Sequence, residues 1–148
     1  NKFLNVTSPD NILINGKLTN GAVVSSHVSA VPYAGSGYRM EIYGTEGTIV
    51  ASGEYSPQLS EIKLEGAQGS NLLAPILVPD HFNIATHGTP HGEPYNVGQV
   101  YALFANAING DSNEQPNFET AVELHHLIDA IKQSSKKRQE VSLINQEG

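Results

Sequence analysis

Apolar and polar residues alternate along the first half of the chain with the period of two that is typical of β-strands. Segments 12–18 and 22–31 flank the pair Asn20-Gly21, which predicts a β-hairpin because both residues tolerate positive φ. Further strands are predicted over 38–43, 48–51 and 61–65. Segment 72–78 is apolar but contains Pro75, so it is predicted to be at most an edge strand.

The last third of the chain has helical periodicity. A first helix is predicted with Asn96 as its cap and Gln99 in a capping box, ending at Gly110. A second helix is predicted from the cap Asn117 to Ser134-Ser135, followed by a short edge strand over 140–144. The two predicted apolar stripes consist of Val97, Val100, Tyr101, Phe104 and Ile108, and of Phe118, Ala121, Leu124, Ile128 and Ile131.

Strands followed by helices predict the α+β class, with an open-faced, mainly antiparallel sheet and helices packed on one face. The other sheet face is predicted to remain uncovered by this chain and to meet either water or a partner. That polar face is predicted to carry Ser25, His27, Ser29, Arg39 and Glu41.

Composition restricts the function classes. The length of 148 residues suits one domain, and a net charge of −7 argues against nucleic-acid binding, which needs a basic surface. No apolar run is long enough for a membrane span, and no secretory signal is visible, so we expect a cytoplasmic protein without a membrane partner. The chain opens at Asn1 instead of Met, so we expect residues 1–148 to be the C-terminal part of a longer protein.

Motifs for catalysis or cofactor binding are missing from the sequence. There is no dinucleotide fingerprint, phosphate loop or nucleophile elbow. His87 and His91 have the spacing of zinc ligands on a helix, with Glu93 close by, but Gly88 and Pro90 oppose a helix. We therefore predict no catalytic, cofactor-binding or metal-binding residue, and interpret this segment as a loop that carries polar groups to a neighbouring site.

Three segments in order resemble the C-terminal domain of the Gfo/Idh/MocA oxidoreductases, the family of glucose–fructose oxidoreductase and inositol dehydrogenase. Residues 18–22 (LTNGA) resemble the family's hairpin, and residues 38–49 (YRMEIYGTEGTI) its strand–turn–strand segment. Residues 118–135, which end in AIKQSS, resemble its final helix. The resemblance covers residues 10–144.

The resemblance implies a two-domain oxidoreductase that uses NAD or NADP and acts on a sugar, cyclitol or related polyol. The Rossmann domain and the catalytic residues would lie upstream of Asn1, so this chain alone is expected to be inactive and to bind no cofactor. Its implied partners are that Rossmann domain and further copies, which would form a homo-oligomer through the open sheet face. Family members bring the residues before the first helix, and the start of the third strand, close to the substrate. The matching substrate-binding candidates are His91, Tyr95, Asn96 and Tyr38.

Two other functions fit the same residues. One is a sugar-sensing regulator on the same scaffold, which would keep the cofactor domain without turnover. The other is a free-standing module that binds a partner through its uncovered sheet face. The upstream catalytic residues distinguish the enzyme from the sensor, and the length of the native protein tests the free-standing module.

Overall fold

A computed structural model describes residues 6–30, 33–69, 71–110 and 116–143. Its elements are β1 (Asn11–Lys17), β2 (Val23–Ser29), β3 (Tyr38–Tyr43), β4 (Gly47–Gly53), β5 (Lys63–Gln68), β6 (Ala74–Pro75), a short 3-10 helix (Asp80–Phe82), α1 (Glu93–Ile108) and α2 (Phe118–Lys137). The strands form two antiparallel sheets, in the orders β1-β2 and β3-β4-β5-β6. This mixture confirms the α+β class.

The chain divides into two compact units. The hairpin–helix unit contains β1, β2 and α2, and the sheet unit, residues 36–116, contains β3 to β6 and α1. The prediction that five polar residues share one sheet face is therefore wrong, because these residues lie on two different sheets. Ser25, His27 and Ser29 lie on the two-stranded sheet, whereas Arg39 and Glu41 lie on the four-stranded sheet.

The β1–β2 hairpin was predicted correctly, with the turn at Asn20-Gly21. The Gly21 N–H donates to the Leu18 carbonyl at 2.9 Å, and the Leu18 N–H donates to the Ala22 carbonyl at 2.8 Å. Only Gly21 has positive φ, at 91°, while the Asn20 side chain accepts from the Ala22 N–H at 3.0 Å. This is a three-residue loop of type I with a glycine bulge, so asparagine acts as a side-chain acceptor and glycine as the left-handed residue.

The four-stranded sheet contains the best-buried residues of its unit. Val50 and Ala51, neighbours in β4, are 2% and 5% exposed and face opposite sides. β4 is central because it pairs with β3 on one side and β5 on the other. The strand predicted over 61–65 begins two residues later, at Lys63, and continues to Gln68. β6 is the expected edge strand and contains Pro75.

The two helices exist, but their ends differ from the sequence predictions. α1 is capped by Gly92 and starts at Glu93, so the predicted cap at Asn96 is wrong. Pro94 in the first turn explains the early start, because its missing N–H costs nothing there. Asn117 caps α2 as predicted, accepting from the Thr120 N–H at 2.8 Å.

The second helix extends beyond its predicted C-terminal end. α2 continues past Ser134-Ser135 to Lys137 and ends at Arg138, which has φ 55° and donates its N–H to the Ser134 carbonyl. Residues 140–143 are not a strand, so that part of the predicted edge strand is wrong, and Ile144 lies outside the described residues. Lys136 and Lys137 occupy the last turn, where positive charge is favourable.

Neither helix buries its apolar stripe within its own unit. In α1 the exposed fraction is 53% at Val97, 55% at Phe104 and 70% at Ile108. In α2 it is 88% at Phe118 and 45% at Ile128. Much of each apolar stripe is therefore exposed within the unit that contains its helix. Among the described residues, no helix is long and apolar enough to cross a membrane.

Candidate functional site

The start of α1 brings together two of the predicted substrate-binding residues. His91 lies just before the cap Gly92, and Tyr95 is the third residue of the helix. Their rings are stacked, with centroids 5.6 Å apart and an angle of 18° between planes. His91 is exposed and Tyr95 is half-buried, so the pair presents an aromatic surface with polar edges.

Asn96 anchors α1 to the loop that follows β4. Its Nδ2 donates to the carbonyl of Gln58 at 3.0 Å. That loop is itself held by Ser60, which is only 7% exposed and whose Oγ accepts from the Tyr55 N–H at 2.6 Å. Asn96 therefore holds two segments together, and among the described residues its amide oxygen and its second N–H have no hydrogen-bond partner.

Tyr38 lies at the other candidate position, the first residue of β3. It pairs with Gly53, the last residue of β4, and its hydroxyl donates to the sulfur of Met40 at 3.5 Å. The loop that contains Gln58 leaves β4 at this same end. Within the described chain no hydrogen bond or ring contact joins Tyr38 to His91, Tyr95 or Asn96, so the four candidates consist of a cluster at α1 and one separate tyrosine.

Gln99 was predicted only as a capping-box partner, and its contacts with a distant loop were missed. Its side chain instead reaches the loop before α1. Its Oε1 accepts from the N–H groups of Ile84 and Ala85 at 2.7 and 2.5 Å, and its Nε2 donates to the Phe82 carbonyl at 2.7 Å. The only sequence signal was a glutamine near a helix start, which does not identify a partner about 15 residues away.

A polar cluster lies on one face of β3. The Glu41 carboxylate accepts from the Tyr43 hydroxyl at 2.7 Å and from the Arg39 Nε at 2.8 Å. The Tyr43 hydrogen bond and then the Arg39 hydrogen bond lower the pKa of Glu41, and the bond to Glu41 raises the pKa of Tyr43. The cluster borders a depression of about 650 Å³ that Leu72 and Leu73 also line.

His87 and His91 were the only pair weighed as zinc ligands from the sequence. In the part of the chain that the structure describes, no group of three or more His, Asp or Glu side chains could hold a metal ion. His91 instead stacks on Tyr95.

The fold and the cluster at the start of α1 define a class of protein: an α+β domain whose first helix contacts polar and aromatic groups of two loops. A comparison with family profiles gave a match to "Oxidoreductase family, C-terminal alpha/beta domain" of Gfo/Idh/MocA over residues 1–143. The chain belongs to this family, as its C-terminal domain. Comparisons with curated proteins and with solved structures gave no significant match.

Proposed function

We propose that this chain is the substrate-side domain of an NAD(P)-dependent oxidoreductase that acts on a sugar, cyclitol or related polyol. The observation that supports the proposal is the family match over residues 1–143. In such an enzyme an N-terminal Rossmann domain would bind the nicotinamide nucleotide and supply the catalytic residues. This chain would contribute one wall of the substrate site and no group to the hydride-transfer step.

The chemistry of the α1 cluster suits a neutral polyhydroxylated ring. Such a ligand has an apolar C–H face and a rim of hydroxyl groups, so it needs a flat aromatic surface and hydrogen-bonding groups around it. The stacked rings of His91 and Tyr95 provide the surface, and the Oδ1 of Asn96, which accepts no hydrogen bond from a described residue, is an acceptor. Tyr38 is the further candidate, at the sheet end from which the Gln58 loop departs.

We also propose that one face of the four-stranded sheet, the face that carries Arg39, Glu41 and Tyr43, forms a homo-oligomer interface. This face combines the Arg39–Glu41–Tyr43 cluster with apolar side chains, of which Leu72 is 89% exposed and Leu73 44%. A mixture of aromatic, arginine and aliphatic groups is typical of protein interfaces. The test is the mass of the native protein in solution: a dimer or higher oligomer that Leu72→Asp dissociates supports the interface, and a monomer contradicts it.

The function is tested on the intact gene product. We expect it to be longer than this chain by a cofactor domain, to bind NAD or NADP, and to reduce the nucleotide with a sugar or cyclitol from a panel that includes D-glucose and myo-inositol. A product without a nicotinamide site would reject the proposal. Absorbance of the reduced nicotinamide follows turnover directly.

The role of the ring pair is tested by Tyr95→Leu, with Tyr101→Leu as the matched control. Tyr101 lies on the same helix, is 68% exposed, and makes no ring contact with a described residue. We expect the Tyr95 variant to raise the KM for the polyol by about fivefold, because one aromatic contact is worth about 1 kcal/mol. Equal KM values for the two variants would exclude His91–Tyr95 as a substrate surface.

A further inference from the structure

The Gln99 side chain holds a loop that otherwise has little regular structure. Residues 83–92, between the 3-10 helix and α1, contain no helix or strand. Gln99 uses both atoms of its amide there, accepting two backbone N–H groups and donating to one carbonyl. A fixed loop of this kind loses conformational entropy, so the polar contacts that hold it are decisive for its position.

A second observation shows the same loop close to α1. A Cβ placed on Gly98 would lie 3.3 Å from the Thr89 Cγ2 and 3.5 Å from the Ala85 Cβ. Helix and loop are therefore in close contact beside Gln99. The Thr89 hydroxyl donates to the Thr86 carbonyl at 2.6 Å, which closes the loop on itself.

Gln99 and the ring pair lie on the same side of α1. Tyr95 and Gln99 are four residues apart, a spacing that places side chains one above the other on a helix. Just before the loop held by Gln99, the 3-10 helix contains His81 and Phe82, whose rings are 4.2 Å apart, and the loop itself leads to His91. Phe82 is 60% exposed, so the 3-10 helix offers an aromatic group to solvent at the start of the loop.

We propose that Gln99 is a positioning residue for the substrate site: it holds loop 83–92 on α1, so that this loop forms a second wall beside the His91–Tyr95 rings. The proposal rests on the proposed function, because the substrate is taken to be a polyol. Gln99 itself contacts backbone and not substrate. It acts by keeping the loop in the position that binds the polyol.

The test uses two Gln99 variants of the intact protein and a control on the other helix. Gln99→Met keeps the side-chain length and removes all three hydrogen bonds, whereas Gln99→Glu keeps the two accepted bonds and loses the donated one. Gln133→Met makes the same change on α2, where Gln133 is exposed and makes no hydrogen bond with a described residue.

Two readouts distinguish positioning from general stability. We expect Gln99→Met to raise the KM for the polyol by about fivefold or more, with unchanged NAD(P) affinity, and to speed amide exchange at Ile84 and Ala85. Gln99→Glu should lie between wild type and Gln99→Met, and Gln133→Met should match wild type. If Gln99→Met lowers the Tm but leaves the KM and the amide exchange at Ile84 and Ala85 unchanged at temperatures below the Tm, the proposal is overturned.

Failure of the proposed function has a different signature. If the wild-type protein binds no nicotinamide nucleotide and converts neither D-glucose nor myo-inositol, the oxidoreductase assignment fails. Amide exchange then decides the role of Gln99. Faster exchange at Ile84 and Ala85 in Gln99→Met, but not in Gln133→Met, supports the positioning of the loop, and equal exchange in both variants rejects it.

Discussion

Val50 is the most deeply buried apolar residue among those described, at 2% exposure, and its truncation should be costly. It lies in the central strand β4, paired with Glu41 on one side and Glu65 on the other. Leu72 and Leu73 line the same depression as its side chain. Val50→Ala removes two methyl groups from this environment and leaves a void that the paired backbone cannot close.

The magnitude follows from the buried groups. Each methyl group is worth about 0.8 kcal/mol on transfer from water, so the loss before any cavity term is about 1.6 kcal/mol. Incomplete relaxation around the void brings the expected loss in the free energy of unfolding to about 2 kcal/mol. Val→Ala also lowers β-propensity, which contributes at both buried and exposed positions.

Val23→Ala is the matched control, because Val23 is also in a strand but is 81% exposed. This variant has the same change in β-propensity, but its side chain is mostly exposed. We therefore expect it to lower the free energy of unfolding by about 0.5 kcal/mol or less. Urea denaturation followed by far-UV circular dichroism measures both variants, and the m value should stay constant. A loss in Val50→Ala no larger than in Val23→Ala would refute the burial argument.

Three further predictions concern local geometry. Gly37 has φ 76°, and a Cβ there would collide with backbone carbonyls, so Gly37→Ala should lower the free energy of unfolding by more than about 1 kcal/mol in urea denaturation. Asn117→Ala removes the α2 cap that accepts from Thr120 and should cost about 1 kcal/mol, measured as loss of helical circular dichroism in urea. Tyr43→Phe should raise the pKa of Glu41 towards its ordinary value, measured by NMR titration of the carboxyl carbon.

Each of these predictions has an internal control. Gly16→Ala, in a strand with open space around it, should be neutral or slightly stabilising, and a cost equal to that of Gly37→Ala would contradict the argument from φ. Asn109→Ala changes an asparagine at the end of α1 that makes no side-chain hydrogen bond to a described residue, and should cost less than Asn117→Ala. For Glu41, an unchanged titration in Tyr43→Phe would show that the hydroxyl contributes nothing.

The pH dependence of the free energy of unfolding follows from the directions in which the pKa values of Glu41 and Tyr43 are shifted. The lowered pKa of Glu41 stabilises the folded chain above the ordinary glutamate pKa, and this contribution is lost as pH falls through the folded value. The raised pKa of Tyr43 stabilises it below the ordinary tyrosine pKa, and this contribution is lost as pH rises through the folded value. Both contributions are therefore present together at neutral pH. Tyr43→Phe should remove the tyrosine contribution and the part of the Glu41 contribution that comes from the Tyr43 hydrogen bond, while the part that comes from Arg39 remains.

The elements that local chemistry controls were predictable. The hairpin at Asn20-Gly21 depends on a turn whose hydrogen bonds all lie within five residues, and the cap at Asn117 depends on an acceptor three residues from its donor. Alternation in β3 places Arg39, Glu41 and Tyr43 on one face, since successive strand residues point to opposite sides.

Predictions failed where two local rules competed. At the start of α1, Asn96 and Gln99 matched a capping box, yet Gly92 and Pro94 start the helix earlier. A helix gains one hydrogen bond for each residue added, so a permissible earlier start extends it. At the C-terminal end of the second helix, α2 continued through two serines because neither excludes the helical conformation.

The amino-acid sequence by itself determined the α+β class, the hairpin, the central strands and the family to which the chain belongs, since each rests on residues adjacent in the chain or on a short ordered pattern. Tertiary structure alone decided that the strands form two sheets and that Asn96 and Gln99 hold two loops at the start of α1. The physical reason is that an amide side chain can hydrogen-bond with almost any backbone group. Which group it meets depends on how the intervening loop closes, and no local pattern encodes that choice.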